Sequence, residues 1–182
     1  MSTFVSRGGQ KLHHAIAAFA IDVHAKTCAD LGCSTGGFTD CLLQRGAAKV
    51  YAVDTGYGVL DWRLRNDPRV VVMERTNAMH VQLPEPVEIV TIDVAWTKQR
   101  HILPSGKRLL APGGIVITLI KPHYEAAPPL LRKGILPEDQ IPAVLESVKD
   151  DVQHAGFTVA AMVESPIKGA KGNVEMLAML TM

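Results

Sequence analysis

The sequence lacks most of the features that would take it out of the ordinary globular class. Its only cysteines, Cys28, Cys33 and Cys41, crowd into one short stretch. A disulfide framework needs more cysteines spread along the chain, so reduced thiols in a cytoplasmic protein are expected. Cys28 should pack in a strand and Cys41 in the helix after it. No C-x-x-C pair is present and no fourth ligand sits at finger spacing, so no metal site is expected. Charge of one sign is also missing: 19 basic against 18 acidic side chains leave a formal net charge of +1. No global positive field marks a nucleic-acid partner, and any such binding must rest on a local patch or on another domain. Apolar runs around positions 88–95 and 114–120 fall far short of the ~20 residues of a membrane-spanning helix. Residues 15–21 follow Arg7 and Lys11 in the manner of a signal peptide, yet His13, His14 and Asp22 bracket them. Leu12, Ile16, Phe19 and Val23 recur there at helical spacing, which describes an amphipathic helix on a core. No membrane association is expected, and no repeat or low-complexity segment is visible.

What remains is 182 residues, 47% apolar and 20% charged, enough for one domain over 1–182 with a proper core. The pattern predicts an opening helix over 9–21, then strands at 27–31, 49–53, 69–73, 87–92 and 115–120. Helices are expected at 38–44, 99–110 and 137–154, with Pro142 near the first turn of the last. Two closing strands follow at 157–164 and 173–180. Pro112-Gly113-Gly114 should turn the chain from helix to strand. Strands alternating with helices predict an α/β fold: a Rossmann-like, doubly wound sheet, mostly parallel and seven-stranded, with helices on both faces. Residues 125–137 form the one long loop, expected to be a lid or surface excursion. Ligands in such sheets bind beyond the C-terminal strand ends, so the chemistry belongs just past each strand.

Strand 27–31 runs into Asp30-Leu31-Gly32-Cys33-Ser34-Thr35-Gly36-Gly37-Phe38-Thr39. Glycines there allow close approach to a ligand and a sharp turn into a helix whose N-terminus offers free amides. The spacing is not G-x-G-x-x-G, so the pyrophosphate-binding fingerprint of a nucleotide-dependent reductase is not met. Asp30, two residues before Gly32, suits a ligand bearing an ammonium and a sulfonium, as S-adenosyl-L-methionine does. Asp54 ends the second strand about 20 residues beyond the turn, where an acid can accept both hydrogen bonds of a ribose diol. The expected cofactor contacts are Asp30, Gly32, Ser34, Thr35, Gly36, Gly37, Phe38 and Asp54. Asn77 is either an adenine contact or a turn-forming asparagine.

Four further residues fall where a second substrate would sit: Lys11 in the first helix, Asp93 and Lys121 at strand ends, and Glu175 early in the last strand. Charges at the ends of apolar runs need compensation. At this point several motifs, in order, strongly resemble the TlyA family of FtsJ-like ribose 2′-O-methyltransferases acting on ribosomal RNA. They are Ser6-Arg7-Gly8-Gly9-Gln10-Lys11-Leu12, Ser34-Thr35-Gly36-Gly37-Phe38-Thr39-Asp40, Glu74-Arg75-Thr76-Asn77, Lys121-Pro122 and the run from Ser165 to Glu175. The resemblance implies a Lys-Asp-Lys-Glu catalytic tetrad, here Lys11, Asp93, Lys121 and Glu175, with S-adenosyl-L-methionine as cofactor and ribosomal RNA or a ribosomal subunit as partner. Members of the family have also been labelled haemolysins, but no pore-forming segment is visible here. Three departures stand out. The family usually carries an N-terminal S4-type RNA-binding domain, and this chain begins almost at the Ser-Arg-Gly-Gly motif, so weak unaided RNA binding is expected. Val94-Ala95-Trp96 replaces a Val-Ser-Phe pattern. Ala78-Met79 replaces Ala-Arg, which removes one basic contact.

The implied reaction is in-line displacement at the sulfonium methyl by a ribose 2′-oxygen, so alignment and control of one proton are the main tasks. Lys121 is the expected contact to that oxygen. A lysine with the ordinary pKa near 10.4 is neutral only about once in a thousand near pH 7.4. Lys121 therefore either loses its charge and acts as base, or stays charged and orients the oxygen; both readings stand. Strand 87–92 is not followed by the Asn/Asp-Pro-Pro-aromatic run of base-amine methyltransferases, which favours an oxygen acceptor. Arg7, Lys168 and Lys171, in glycine-flanked loops, are candidate RNA contacts or plain solvated charges. A small-molecule or other RNA acceptor, and a cofactor-binding scaffold without turnover, are the competing functions.

Overall fold

The computed structural model describes residues 4–182; residues 1–3 of the expected domain lie outside the described residues. In chain order the elements are α1 (Gly8–Ala18), β1 (Thr27–Leu31), α2 (Gly37–Gln44), β2 (Lys49–Val53), α3 (Trp62–Arg65), β3 (Val70–Met73), β4 (Val87–Ile92), α4 (Gln99–Leu109), β5 (Leu110–Ile120), α5 (Pro122–Glu125), α6 (Ile141–His154), β6 (Thr158–Glu164) and β7 (Met176–Thr181). The seven strands form one sheet in the order β3-β2-β1-β4-β5-β7-β6. All pairings are parallel except those of β7, which runs antiparallel to both β5 and β6. The expected Rossmann-like architecture is therefore present.

Period-two alternation sorts the core onto two faces. Cys28 of β1, Val50 and Ala52 of β2 and Ile117 and Leu119 of β5 face α1 and α2, packing on Leu12, Ile16 and Leu42. Ala29 and Leu31, Val90 and Ile92, and Val116 and Ile120 face the other way, against Ile102 and Leu103 of α4 and Val148 and Val152 of α6. Cys28 and Cys41 are buried as expected, and burial pushes both thiols up to about 12, which leaves them unreactive. β1 pairs with β2 on one side and β4 on the other. The chain thus reverses its winding direction at the β1/β4 junction, and a crevice must open there beyond the strand ends.

Several boundaries differ from the sequence expectation. The first helix stops at Ala18, and Ala20 turns left-handed at φ 53°, although Phe19 and Ile21 still pack on the core. Pro112-Gly113-Gly114 is no turn between elements. α4 passes directly into β5, and the register jumps from Val87↔Leu110 to Ile89↔Ile115, so these residues form a wide bulge inside the strand. The helix expected over 137–154 starts at Ile141, after a 3-10 turn at Glu138–Gln140. The last strand begins at Met176, three residues later than expected. The one-turn α3, whose start is capped by the Asp61 carboxylate accepting from the Arg63 amide, is too short to show a helical period. Residues 125–137 are not a loose excursion: Ala126 and Leu136 are buried against Val144 of α6.

Candidate active site

Beyond the ends of β1, β4 and β5 lie two hollows of about 350 and 370 Å³, whose common wall is Gly32, Ser34, Asp93 and Ala95. The strand ladder brings these walls together. The Asp93 amide donates to the Leu31 carbonyl at 3.0 Å, so pairing continues to the last residue before the loops diverge. Gly32 sits at φ 85°, and a side chain there would lie 2.5 Å from the Asp93 carbonyl oxygen. Only glycine allows this approach.

The first hollow is lined by Arg7, Lys11, Ser34, Thr35, Gly37, Phe38, Asp93 and Lys121, among others. Lys121 Nζ lies 2.6 Å from Asp93 Oδ1 and also donates to the Val94 carbonyl at 3.2 Å. Lys11 Nζ donates to Glu175 Oε2 at 2.5 Å. Lys11, Asp93 and Lys121 line the same hollow, whereas Glu175, 4% exposed, stands behind Lys11. The four residues of the expected tetrad thus form two lysine–carboxylate pairs. α1 reaches the site because its first turn packs on the start of α2. A side chain at Gly37 would lie 2.8 Å from the Gly9 amide nitrogen.

Glu175 lies close against Gly169, where a Cβ would meet Glu175 Oε1. Gly169→Ala is expected to shift the Glu175 carboxylate against Lys11 and to lower turnover, though by less than Glu175→Ala does. Turnover equal to wild type in a folded Gly169→Ala protein would show that the pair tolerates movement.

The second hollow holds Asp54, Thr76, Asn77, Met79, Val94 and Ile102. Asp54 Oδ2 accepts from the Ser34 amide at 2.8 Å and Oδ1 from the Gly56 amide at 2.7 Å. A carboxylate has about four lone-pair sites, so acceptor capacity remains for a diol. Asn77 Oδ1 accepts from the Met79 amide at 2.9 Å, the turn-forming role, while the residue also lines the hollow. Gly36 lines neither hollow: a side chain there would strike Leu64 and Leu60, so it serves packing with α3.

Asp30 does not reach the crevice. It is fully buried, accepting from Thr39 Oγ1 at 2.7 Å and Thr91 Oγ1 at 3.0 Å. Alternation explains this: Asp30 shares the face of Cys28, under α2, whereas a ligand would meet the strand end. The expected direct contact to an ammonium is therefore corrected to a buried anchor between β1, α2 and β4. Burial raises its carboxyl to about 6 against the two hydroxyl hydrogen bonds, which lower it. The folded state then binds more protons than the unfolded one between pH ~4 and ~6. Stability from this residue is full below that window and falls as pH rises through it, by about 3 kcal/mol. Asp30→Asn should flatten that part of the profile. Urea titrations across pH 4–7 test it, and an unchanged difference between wild type and mutant across the window would refute the assignment.

Arg7 borders the first hollow, but Lys168 and Lys171 do not; they are exposed on the segment between β6 and β7. Two aromatic residues at the rim were not predicted as site residues. Trp96, 82% exposed and held at φ 61°, lines the second hollow and stacks on Tyr124 with ring centroids 4.7 Å apart. No local pattern links these two residues, because the β4 and β5 loops meet only in the folded chain. His123, buried beside them, has an Nδ1 without a hydrogen-bond partner among the described residues, and burial lowers its pKa.

Residues 4–182 match the model of the FtsJ-like methyltransferase family. The chain is 43% identical over 180 residues to the Bacillus subtilis protein named "Putative rRNA methyltransferase YqxC", covering 96% of this chain and 64% of that protein. It is 41% identical over 178 residues to "16S/23S rRNA (cytidine-2'-O)-methyltransferase TlyA" of Mycobacterium tuberculosis, covering 94% and 66%. The solved structure "Putative hemolysin from Streptococcus thermophilus" superposes with a TM-score of 0.95 at 41% identity, over 99% of this chain and 67% of that one. The chain thus spans about two thirds of the length of these relatives. Among the described residues no helix is long and apolar enough to cross a membrane. With the family model matched along its described length, this chain belongs to the FtsJ-like methyltransferases.

Proposed function

We propose that this chain transfers a methyl group from S-adenosyl-L-methionine to a ribose 2′-hydroxyl of ribosomal RNA, with cytidine as the target nucleoside. The observation that carries the proposal is the pair of lysine–carboxylate contacts on the floor of one hollow, joined through a shared wall to a second hollow with a free-capacity acid. Relatives named as rRNA (cytidine-2′-O)-methyltransferases supply the substrate class.

The second hollow suits the nucleoside end of the cofactor. Asp54 would accept from the ribose diol, Met79, Val94 and Ile102 offer apolar contact to a base, and Asn77 is near enough to add a polar one. Ser34 and Thr35 in the turn before α2, with Gly37 at the helix start, would hold the amino-acid end. Bound there, S-adenosyl-L-methionine supplies an electrophilic methyl whose leaving group is a neutral thioether. Lys121 has three N–H donors, of which two meet Asp93 and the Val94 carbonyl. The third is available to the substrate 2′-oxygen. This arrangement favours Lys121 as a charged group that orients the oxygen, with Asp93 fixing the ammonium in place. Lys11, aimed into the same hollow and fixed by Glu175, adds a second positive charge beside the oxygen, whose proton passes to solvent water as the C–O bond forms and the thioether leaves.

Incubation with ribosomal subunits and labelled cofactor, followed by mass mapping of the RNA, tests the reading. A methylated cytidine ribose is expected. Transfer to a small molecule but to no RNA would replace it with another acceptor, and cofactor binding without any transfer would leave a scaffold.

A further inference from the structure

The edge of the sheet that carries Lys121 and Glu175 also carries two turns of the same unusual kind. After β5, Arg132 and Ile135 exchange backbone hydrogen bonds of 2.8 and 3.0 Å across a two-residue turn, with Lys133 at φ 54° and Gly134 at φ 83°. Before β7, Lys171 at φ 57° and Gly172 at φ 82° repeat the pattern. Asn173, 3% exposed, ties the turns into one body. Its amide donates to the Gly134 carbonyl at 3.0 Å and the Ala170 carbonyl at 2.9 Å, and its Oδ1 accepts from the Leu136 amide at 3.0 Å. Lys171 Nζ adds a 3.1 Å hydrogen bond to the Lys133 carbonyl.

A left-handed conformation costs a residue with a side chain on the order of 1 kcal/mol, and glycine or asparagine would avoid most of it. Both turns nevertheless hold lysine there. Neither Arg132 nor Lys133 has an acidic partner among the described residues, and both are exposed. Glu138, 82% exposed, lies 3.7 Å from Lys168, Asp139 follows it in the chain, and Glu175, against Gly169, is paired with Lys11. Cations therefore outnumber acids on this surface, on a chain whose net charge is only +1.

We infer that the Arg132–Ile135 turn and the Lys168–Gly172 segment form one phosphate-contact surface for the RNA flanking the methylated nucleotide, with Arg132 and Lys133 as principal cations. The inference rests on the proposed RNA substrate and extends it to residues outside the cleft. Phosphate contacts position a nucleic acid without reading its sequence, which suits a surface beside the reacting ribose.

The test uses the full chain, wild type and the double variant Arg132→Gln/Lys133→Gly. Glycine suits the positive φ at position 133, so charge is removed without loss of fold, and an unreduced Tm checks this. Filter binding to ribosomal RNA is measured between about 50 and 200 mM salt. Affinity should fall roughly 5- to 20-fold, and the slope of log K against log salt should drop by about 0.7 per lost cation. Cofactor affinity should not change. An unchanged slope and affinity in the double variant overturns the surface, as does binding of wild type to anionic vesicles but not to RNA. A methylation assay on the same preparations separates the two claims. If wild type binds RNA with the expected slope loss in the variant yet transfers no methyl, the proposed reaction fails and the surface stands. If both proteins methylate subunits with the same KM, the surface fails and the reaction stands.

Discussion

Lys121→Ala is expected to abolish methyl transfer to ribosomal RNA by several orders of magnitude while leaving S-adenosyl-L-methionine affinity nearly intact. The expectation follows from position. Lys121 directly follows β5 and borders the first hollow only, whereas Asp54 and Asn77 line the second. Loss of the lysine also leaves Asp93 without its 2.6 Å partner, placing a bare carboxylate beside an oxygen that must become negative. Two unfavourable effects therefore act on the same transition state. Glu175→Ala should act in the same direction but more weakly, because Glu175 works through Lys11. Calorimetry with the cofactor and single-turnover transfer to subunits decide the matter. Undiminished transfer by Lys121→Ala would show that the lysine–carboxylate pairs do not drive the reaction, and loss of cofactor affinity in step with activity would show that Lys121 belongs to the cofactor site.

Asp54→Ala should weaken cofactor binding by roughly 10- to 100-fold, the equivalent of charge-assisted hydrogen bonds worth about 1.5–3 kcal/mol. The same carboxylate accepts from the amides of Ser34 and Gly56, so its loss also releases the turn after β1. Asp54→Asn separates the two effects: one acceptor oxygen remains to hold an amide while the charge is gone. Affinity falling in both variants with Tm held in Asp54→Asn supports direct contact. Unchanged affinity in a folded Asp54→Ala protein would remove Asp54 from the cofactor site.

The sequence by itself determined the alternation of strands and helices, the mostly parallel sheet and the two cysteines buried in β1 and α2. These depend on short-range patterns: apolar runs of strand length, helical spacing in α1, and glycines where the chain turns. It also placed Asp93 and Lys121 just past strand ends, because in a parallel sheet the strand end and the ligand edge coincide, and the family resemblance added Lys11 and Glu175. The pairing within that set was not legible. Lys11 and Glu175 are 164 residues apart in sequence, and only packing of α1 on α2 with β7 beside β5 brings them to 2.5 Å. Asp30 marks the opposite limit: its sequence position suggests a ligand contact, but alternation along β1 turns its carboxylate under α2, where Thr39 and Thr91 satisfy it. Trp96 on Tyr124, and Asn173 joining two turns, were equally invisible, since nothing local in the chain registers which loops meet at a sheet edge. Local physics settled the order and type of the long elements, while several of their ends, and the one-turn α3, moved with the packing. Only the tertiary structure decided which charged side chains neutralise one another, because that depends on strand order and side-chain direction, and short-range patterns carry neither.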